Sequence, residues 1–453
     1  MFFSPTPSVK YLETALWVMA LCNIVLGAGM FFLMQARYSR NLARGTRRLG
    51  FAHLIVSPWD GKALENLWAA SARDDRDAIE EVLARESHYV REAEAATFQK
   101  FVTGSSIYSQ WIQRLRRGRV LERVQAARML GYFPDERGVG ALAEGLRDPS
   151  SKVALSCVLS LGRLKAPAAV PPLVRSLMSL PRSIPDITLT AVLAGCARDE
   201  PKLLTGLLKM PEDRLRILGA WAISEVADAG VLPDLVIAVQ DPNPEVRAKV
   251  ARGLARIPGS VTVGALKTLA ADPIWFVRLR ALHSFGELHA PEGGEIALAA
   301  LVDEVREVRY RAAYALRRTQ GMKSEIVMNV LRTGTRLSFD SLISEWDRAG
   351  FLDLVARDIS ESEGARARAG REFVRVLMGA GVTSTLEAFV LVYPNAEVRW
   401  VLANLLLESP QPELRERLLA LSKDPRCDPR IAVALTSAGQ AGSPQKPFEA
   451  ASS

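Results

Sequence analysis

Cysteine and histidine are scarce in this chain, four of each in 453 residues, and neither is grouped. Cys22, Cys157, Cys196 and Cys427 form no C-x-x-C pair, so the sequence holds no disulfide framework. No N-x-[ST] sequon occurs either, and both absences suit a reducing compartment. His53, His88, His283 and His289 fall at no metal-ligand spacing. The phosphate-loop, dinucleotide-loop, zinc-protease and nucleophile-elbow motifs are all missing. The stretch GVGALAEG at 138–145 imitates a glycine loop in composition only and fits a turn and short helix. No catalytic, cofactor or metal residue is therefore expected, and no small-molecule substrate is evident.

Glycine (31) and proline (25) stand at ordinary levels and 49% of the residues are hydrophobic, which excludes a fibrous or disordered chain. The net charge of +8 looks at first like a nucleic-acid signal. Its distribution argues otherwise. Arg37, Arg40, Arg44, Arg47 and Arg48 carry five of those charges, with no acid before Asp60. The rest is spread too thinly over the chain for an electrostatic footprint on DNA or RNA.

Those arginines follow the one long apolar run. Residues 14–35, TALWVMALCNIVLGAGMFFLMQ, contain no charge in 22 residues. As a helix they span roughly 30 Å, the thickness of a bilayer core. A cleaved signal peptide wants a basic start, and here Lys10 and Glu13 cancel. The basic flank behind the run is topogenic. The sequence thus predicts an uncleaved single-pass inner-membrane anchor at 1–35 with the N-terminus outside, a flank at 36–50, and everything later in the cytoplasm.

Residues 51–120 read as a helical connector. Its segment ARDDRDAIEEVLARESHYVREAEAATFQKFV predicts one long helix whose interleaved acids and arginines form a solvated face. Ser105 or Ser106 is placed to cap the helix after it.

From there on the chain repeats itself. Residues 241–257, DPNPEVRAKVARGLARI, return as DPIWFVRLRALHSFGEL at 272–288. Stepping by 31 residues gives three apolar lines. The first is Val153, Ile184, Leu215, Val246, Val277, Val308. The second is Leu130, Leu161, Val192, Ile223, Leu254, Phe285, Leu316, and the third Leu142, Leu173, Leu204, Leu235, Leu266. Asn243, Pro244 and Glu245 suit a helix start, Pro258-Gly259 a stop, and a second helix is expected at about 261–270. Each unit is a helical hairpin with one apolar side, which only stacking on its neighbours buries.

The pattern D-P-x-x-x-V-R, an Ala/Leu-rich helix and a short second helix resembles the HEAT repeat, especially the short bacterial kind also seen in phycobilisome lyases. The resemblance implies an all-α solenoid over about 121–438, with a tail at 439–453 expected to be disordered. Two places depart from it. Residues 182–213 carry Pro185 where the arginine belongs, and 337–365 break the register.

Arg216, Arg247, Arg278 and Arg309 stand 31 apart, as do Asp241, Asp272 and Asp303, and the expectation is a structural ladder between stacked units. Cys157, Cys196, Trp275 and Trp400 read as packing residues, His283 and His289 as surface residues. By the resemblance, HEAT arrays mostly present surfaces to partners. The expected function is a non-enzymatic scaffold, held at the membrane by one span, that docks a protein partner or envelope-assembly complex. Its partner surface is expected just after the leucine line, at Arg175 and Lys267. Two rival readings stand beside it: a lyase-like enzyme accessory, and a nucleic-acid-binding array.

Overall fold

The amide of Glu245 donates to the Asn243 side chain at 2.9 Å, Pro244 takes the first helical position, and the helix Pro244–Leu254 follows. It closes at Ala255, ahead of the expected Pro258-Gly259 stop. Gly259 instead opens the second helix, Ser260–Ala270, at φ 148°, a conformation that side-chain-bearing residues rarely adopt. The computed structural model describes residues 61–440 apart from 72, 90, 91, 182, 322, 323 and 361–363. Among the described residues all regular structure is helical.

The chain divides into two compact units, Met1–Leu207 and Leu208–Ser453. Within each, hairpins of a longer first helix and a shorter second helix follow one another. In the first unit Ser151–Leu164 is followed by Val170–Ser176; in the second, Asp213–Val226 is followed by Leu232–Ala238, and Trp275–Leu288 by Gly293–Ala300. The three apolar lines supply the core: every member is buried, from Leu130 and Leu142 in the first unit to Val308 and Leu316 in the second. Burying one such leucine is worth about 1.5–3 kcal/mol, which is why the pattern repeats in every hairpin.

The irregular stretches remain helical. Around Pro185 the first helix, Asp186–Cys196, is kept, while the second is replaced by a 3₁₀ helix, Pro201–Lys209. Leu204 and Leu207, three apart, share one face of a 3₁₀ turn and are both buried. At 337–365 the helices Arg336–Arg348 and Phe351–Ser360 form another hairpin. Phe339 keeps the register of Val308, but Trp346 takes the core position one residue ahead of the Leu316 line. Its indole donates to the Ala313 carbonyl at 3.0 Å, and its ring meets Phe351 edge-on at 5.2 Å.

The segment before the repeats is more than a connector. It forms the helices Gly61–Ala70, Arg73–Tyr89, Glu92–Gly104 and Ser106–Arg117. Of the long helix expected over 72–102, Arg73–Tyr89 and Glu92–Gly104 are helical, while 72, 90 and 91 lie outside the described residues. Trp111 stacks on Phe133 at 5.8 Å, so this segment packs directly on the first repeat. Ser105 stands at the N-cap of Ser106–Arg117 but makes no capping bond; its hydroxyl donates to Val102 instead, and Glu65 accepts the Ser106 amide at 2.7 Å.

No helix among the described residues is long and apolar enough to cross a membrane. The apolar run 14–35, the flank arginines Arg37, Arg40, Arg44, Arg47 and Arg48, and Cys22 lie outside the described residues, as does the tail from 441.

Candidate functional site

The periodic arginines and aspartates of the second unit meet across neighbouring repeats. Arg216 Nε lies 2.8 Å from Asp241, Arg247 Nε 2.7 Å from Asp272, and Arg278 Nε 2.7 Å from Asp303. Arg247 and Arg278 grip both carboxylate oxygens. Each arginine also donates through Nη1 to two carbonyls of its own preceding turn, Asp241 and Pro242 for Arg247, Asp272 and Pro273 for Arg278. The aspartate in turn accepts the amide two residues on, Asn243, Ile274 or Val305. One side chain thereby fixes two turns, and the rungs run on from repeat to repeat. Burial pushes the Asp303 carboxyl up, but Arg278 and the Val305 amide outweigh it and hold it below the usual carboxylate range. Arg309 closes the series differently. It donates to the Asp303 and Glu304 carbonyls, but its Nε faces Ser341 at 3.4 Å, because the next aspartate position is Gly334.

Two further rungs escaped the reading of the sequence. Arg123 pairs with Asp148 at 2.8 Å in the first unit, and Arg399 lies 3.8 Å from Asp428 in the second. Arg123 and Asp148 stand three 31-residue steps before Arg216 and Asp241, with Ala154 and Pro185 interrupting the arginine series. Following the step past two empty positions would have found them.

Arg175 and Lys267 are both exposed on second helices, one in each unit. In the same row Glu144 is tied to Arg116 at 2.8 Å, while Ile237 is 70% exposed. Cys157 and Cys196 are buried, and burial pushes their thiols up to about 12 and about 11. Trp275 and Trp400 differ from expectation: they are 43% and 37% exposed. Trp275 takes the register position of Pro244, outside the stripe of Val246, Val250 and Leu254, so it faces away from the core. His289 is exposed at a helix end, whereas His283 is half-buried beside the Tyr314 ring.

Arg311 and Tyr314, the neighbours of that histidine, line a cleft of about 380 Å³ on the first helices of the second unit. Leu279, Arg306, Tyr310, Arg311, Tyr314 and Arg348 are among its lining residues. Arg306 and Arg348 both lie over the Tyr310 ring, at 5.2 and 5.3 Å, and Arg311 lies 5.2 Å from the Tyr314 ring. Tyr314 donates to Glu287 and lies against Gly286, where an added Cβ would come within 2.6 Å of the ring. Arg311 donates to His283 Nδ1 at 3.2 Å; burial first, then Arg311, holds this imidazole below its ordinary value. In the first unit the first helices carry an apolar cleft instead, lined by Leu159, Gly162, Ile187 and Val192. Among the described residues no group of three or more His, Cys, Asp or Glu is placed to hold a metal ion.

Residues 108–184 and 200–286 match the family model for HEAT repeats. No curated protein sequence matches the chain. Similar solved structures include an engineered protein, 17% identical, which covers 79% of this chain and 97% of its own with a TM-score of 0.31. Another is the karyopherin Kap121p bound to the SUMO protease Ulp1p, 11% identical, covering 88% of this chain and 49% of its own, TM-score 0.42.

Proposed function

We propose that this HEAT-repeat chain is a scaffold, tethered to the inner membrane by residues 14–35 with its repeats in the cytoplasm, which docks a protein partner on its second helices. The observation that carries the reading is the contrast between neighbouring positions. Leu142, Leu173, Leu204, Leu235 and Leu266 are all buried. The positions just after them are Glu144, Arg175, Thr205, Val236 with Ile237, and Lys267 with Thr268. Packing dictates the leucines but not the row beside them, which is free to follow a partner's chemistry. Holding that surface at a membrane raises the effective concentration of whatever it captures.

The anchor is tested with a reporter active only in the cytosol, fused after Gly50. The reporter is expected to be active; a silent reporter, or a mature N-terminus that begins after the apolar run, overturns the topology.

The docking row is tested by cross-linked capture from intact membranes. Arg175→Glu combined with Lys267→Glu is expected to lower recovery of the partner set. Both residues are exposed, so melting should shift by no more than about 0.5 kcal/mol. An unchanged partner set with unchanged melting places docking elsewhere.

A further inference from the structure

Two residues past each ladder arginine of the second unit stands another periodic series: Lys249, Arg280 and Arg311, again 31 apart. Unlike the ladder, these cations have no carboxylate partner among the described residues. Lys249 lies over the Trp221 ring at 4.4 Å, Arg311 bonds His283, and Arg252 beside them is paired with Glu225 at 2.8 Å. All three are half-buried. Burial first holds the Lys249 ammonium and the Arg280 guanidinium below their ordinary values; Glu245 opposes this, and the neighbouring cations Arg252 and Arg280, or Arg252 and Arg311, add to it. Like charges lined up in partial burial are unfavourable for folding, so packing does not explain the row. One step beyond either end the register holds Leu218 and Leu342, both buried, so the row spans three repeats and stops.

We propose that this face of the first helices binds an acidic polypeptide segment in the polyproline II conformation, with one carboxylate at every third residue. Packed helices lie about 8–10 Å apart, and the cations recur once per first helix. A polyproline II strand rises about 3.1 Å per residue with three residues per turn, so every third side chain falls on one face about 9 Å after the last. The two repeats match. Trp221 at one end and Tyr310 and Tyr314 at the other supply the aromatic faces that such a strand packs against. Glu245, Glu307 and Glu345 flank the cations. A segment with neutral residues between its acids passes them, whereas a polyanion charged at every unit would be repelled.

The test uses the purified full chain and a fluorescent ten-residue peptide with glutamate at every third position and proline between. Its isomer with the glutamates adjacent serves as the comparison. Fluorescence anisotropy should show the spaced peptide binding about tenfold more tightly than its isomer. Arg280→Glu with Arg311→Glu should weaken it by about tenfold or more, and a peptide carrying lysine at the same positions should then bind this variant better than the parent. If that variant does not fold, Arg280→Gln with Arg311→Gln is measured instead, with loss of binding expected. Equal binding of the two isomers overturns the proposal, as does binding indifferent to either variant, or a single-stranded oligonucleotide that outcompetes the spaced peptide. Because no membrane is involved, failure here leaves the anchored-scaffold reading standing, and the reverse also holds.

Discussion

Leu235→Asp is expected to unfold the second unit, while Asp234→Ala, one residue away, leaves it intact. Leu235 is wholly buried on the helix Leu232–Ala238 and packs over Gly253, with a side-chain carbon 3.5 Å from where a Cβ would stand there. A carboxylate at this site has no cation to meet and loses its hydration, at a cost of several kcal/mol. Against a net stability of about 5–15 kcal/mol for a whole domain, that is decisive. Stacked repeats also share each interface, so one spoiled hairpin withdraws the contacts of both neighbours. Asp234 by contrast makes one ion pair with an exposed Lys209, at 2.9 Å, and losing it costs about 0.2–1 kcal/mol. Thermal melting followed by circular dichroism separates the two variants; equal melting would mean that the leucine line is misplaced.

Glu80→Ala should be nearly as damaging in the first unit, by about 3–5 kcal/mol. Glu80 is 1% exposed and accepts from Trp111 Nε1 at 2.7 Å, Arg114 Nη1 at 2.7 Å and Gln125 Nε2 at 2.6 Å. Removing it takes away the acceptor of a buried indole N–H and the carboxylate partner of a largely buried guanidinium, leaving Asp77, which already accepts from Gln125, as the neighbouring carboxylate. Burial raises its carboxyl above the ordinary value, with Arg114 opposing. The folded state therefore holds the proton more tightly than the unfolded chain. The stability due to this shift is complete below the unfolded value and is lost as pH rises through the folded one. Glu80→Gln should remove that slope while keeping one acceptor, and so melt between the parent and the alanine variant. An alanine variant with parental melting at neutral pH would show that this cluster does not hold the helices together.

Glu80 also marks where local patterning stops being informative. On its own helix it sits among interleaved acids and arginines, and at 3.6 residues per turn such a segment reads as a solvated face. It is buried because Trp111, Arg114 and Gln125 arrive from helices 31 to 45 residues later. The same limit applies to Lys249, Arg280 and Arg311. Their period was visible, but charge at a regular interval does not say whether acids meet it. Asp241, Asp272 and Asp303 pair with the first arginine series, while among the described residues no carboxylate forms an ion pair with the second. Trp275, at a helix start, was read as a packing residue rather than one that stacks on a base; its register position turns it outward.

What the sequence by itself determined is the repeat: three apolar lines at a fixed step, the Asn243-Pro244 helix start, the short second helix, and thus a stack of hairpins. These follow from local rules, because a turn, a cap and one apolar stripe are complete within some thirty residues. Only the tertiary structure decided which charges are neutralised, which are buried and which stand without a partner. Those outcomes depend on distances between side chains from different repeats, and Coulomb and desolvation energies change steeply over the few ångströms that sequence spacing cannot resolve.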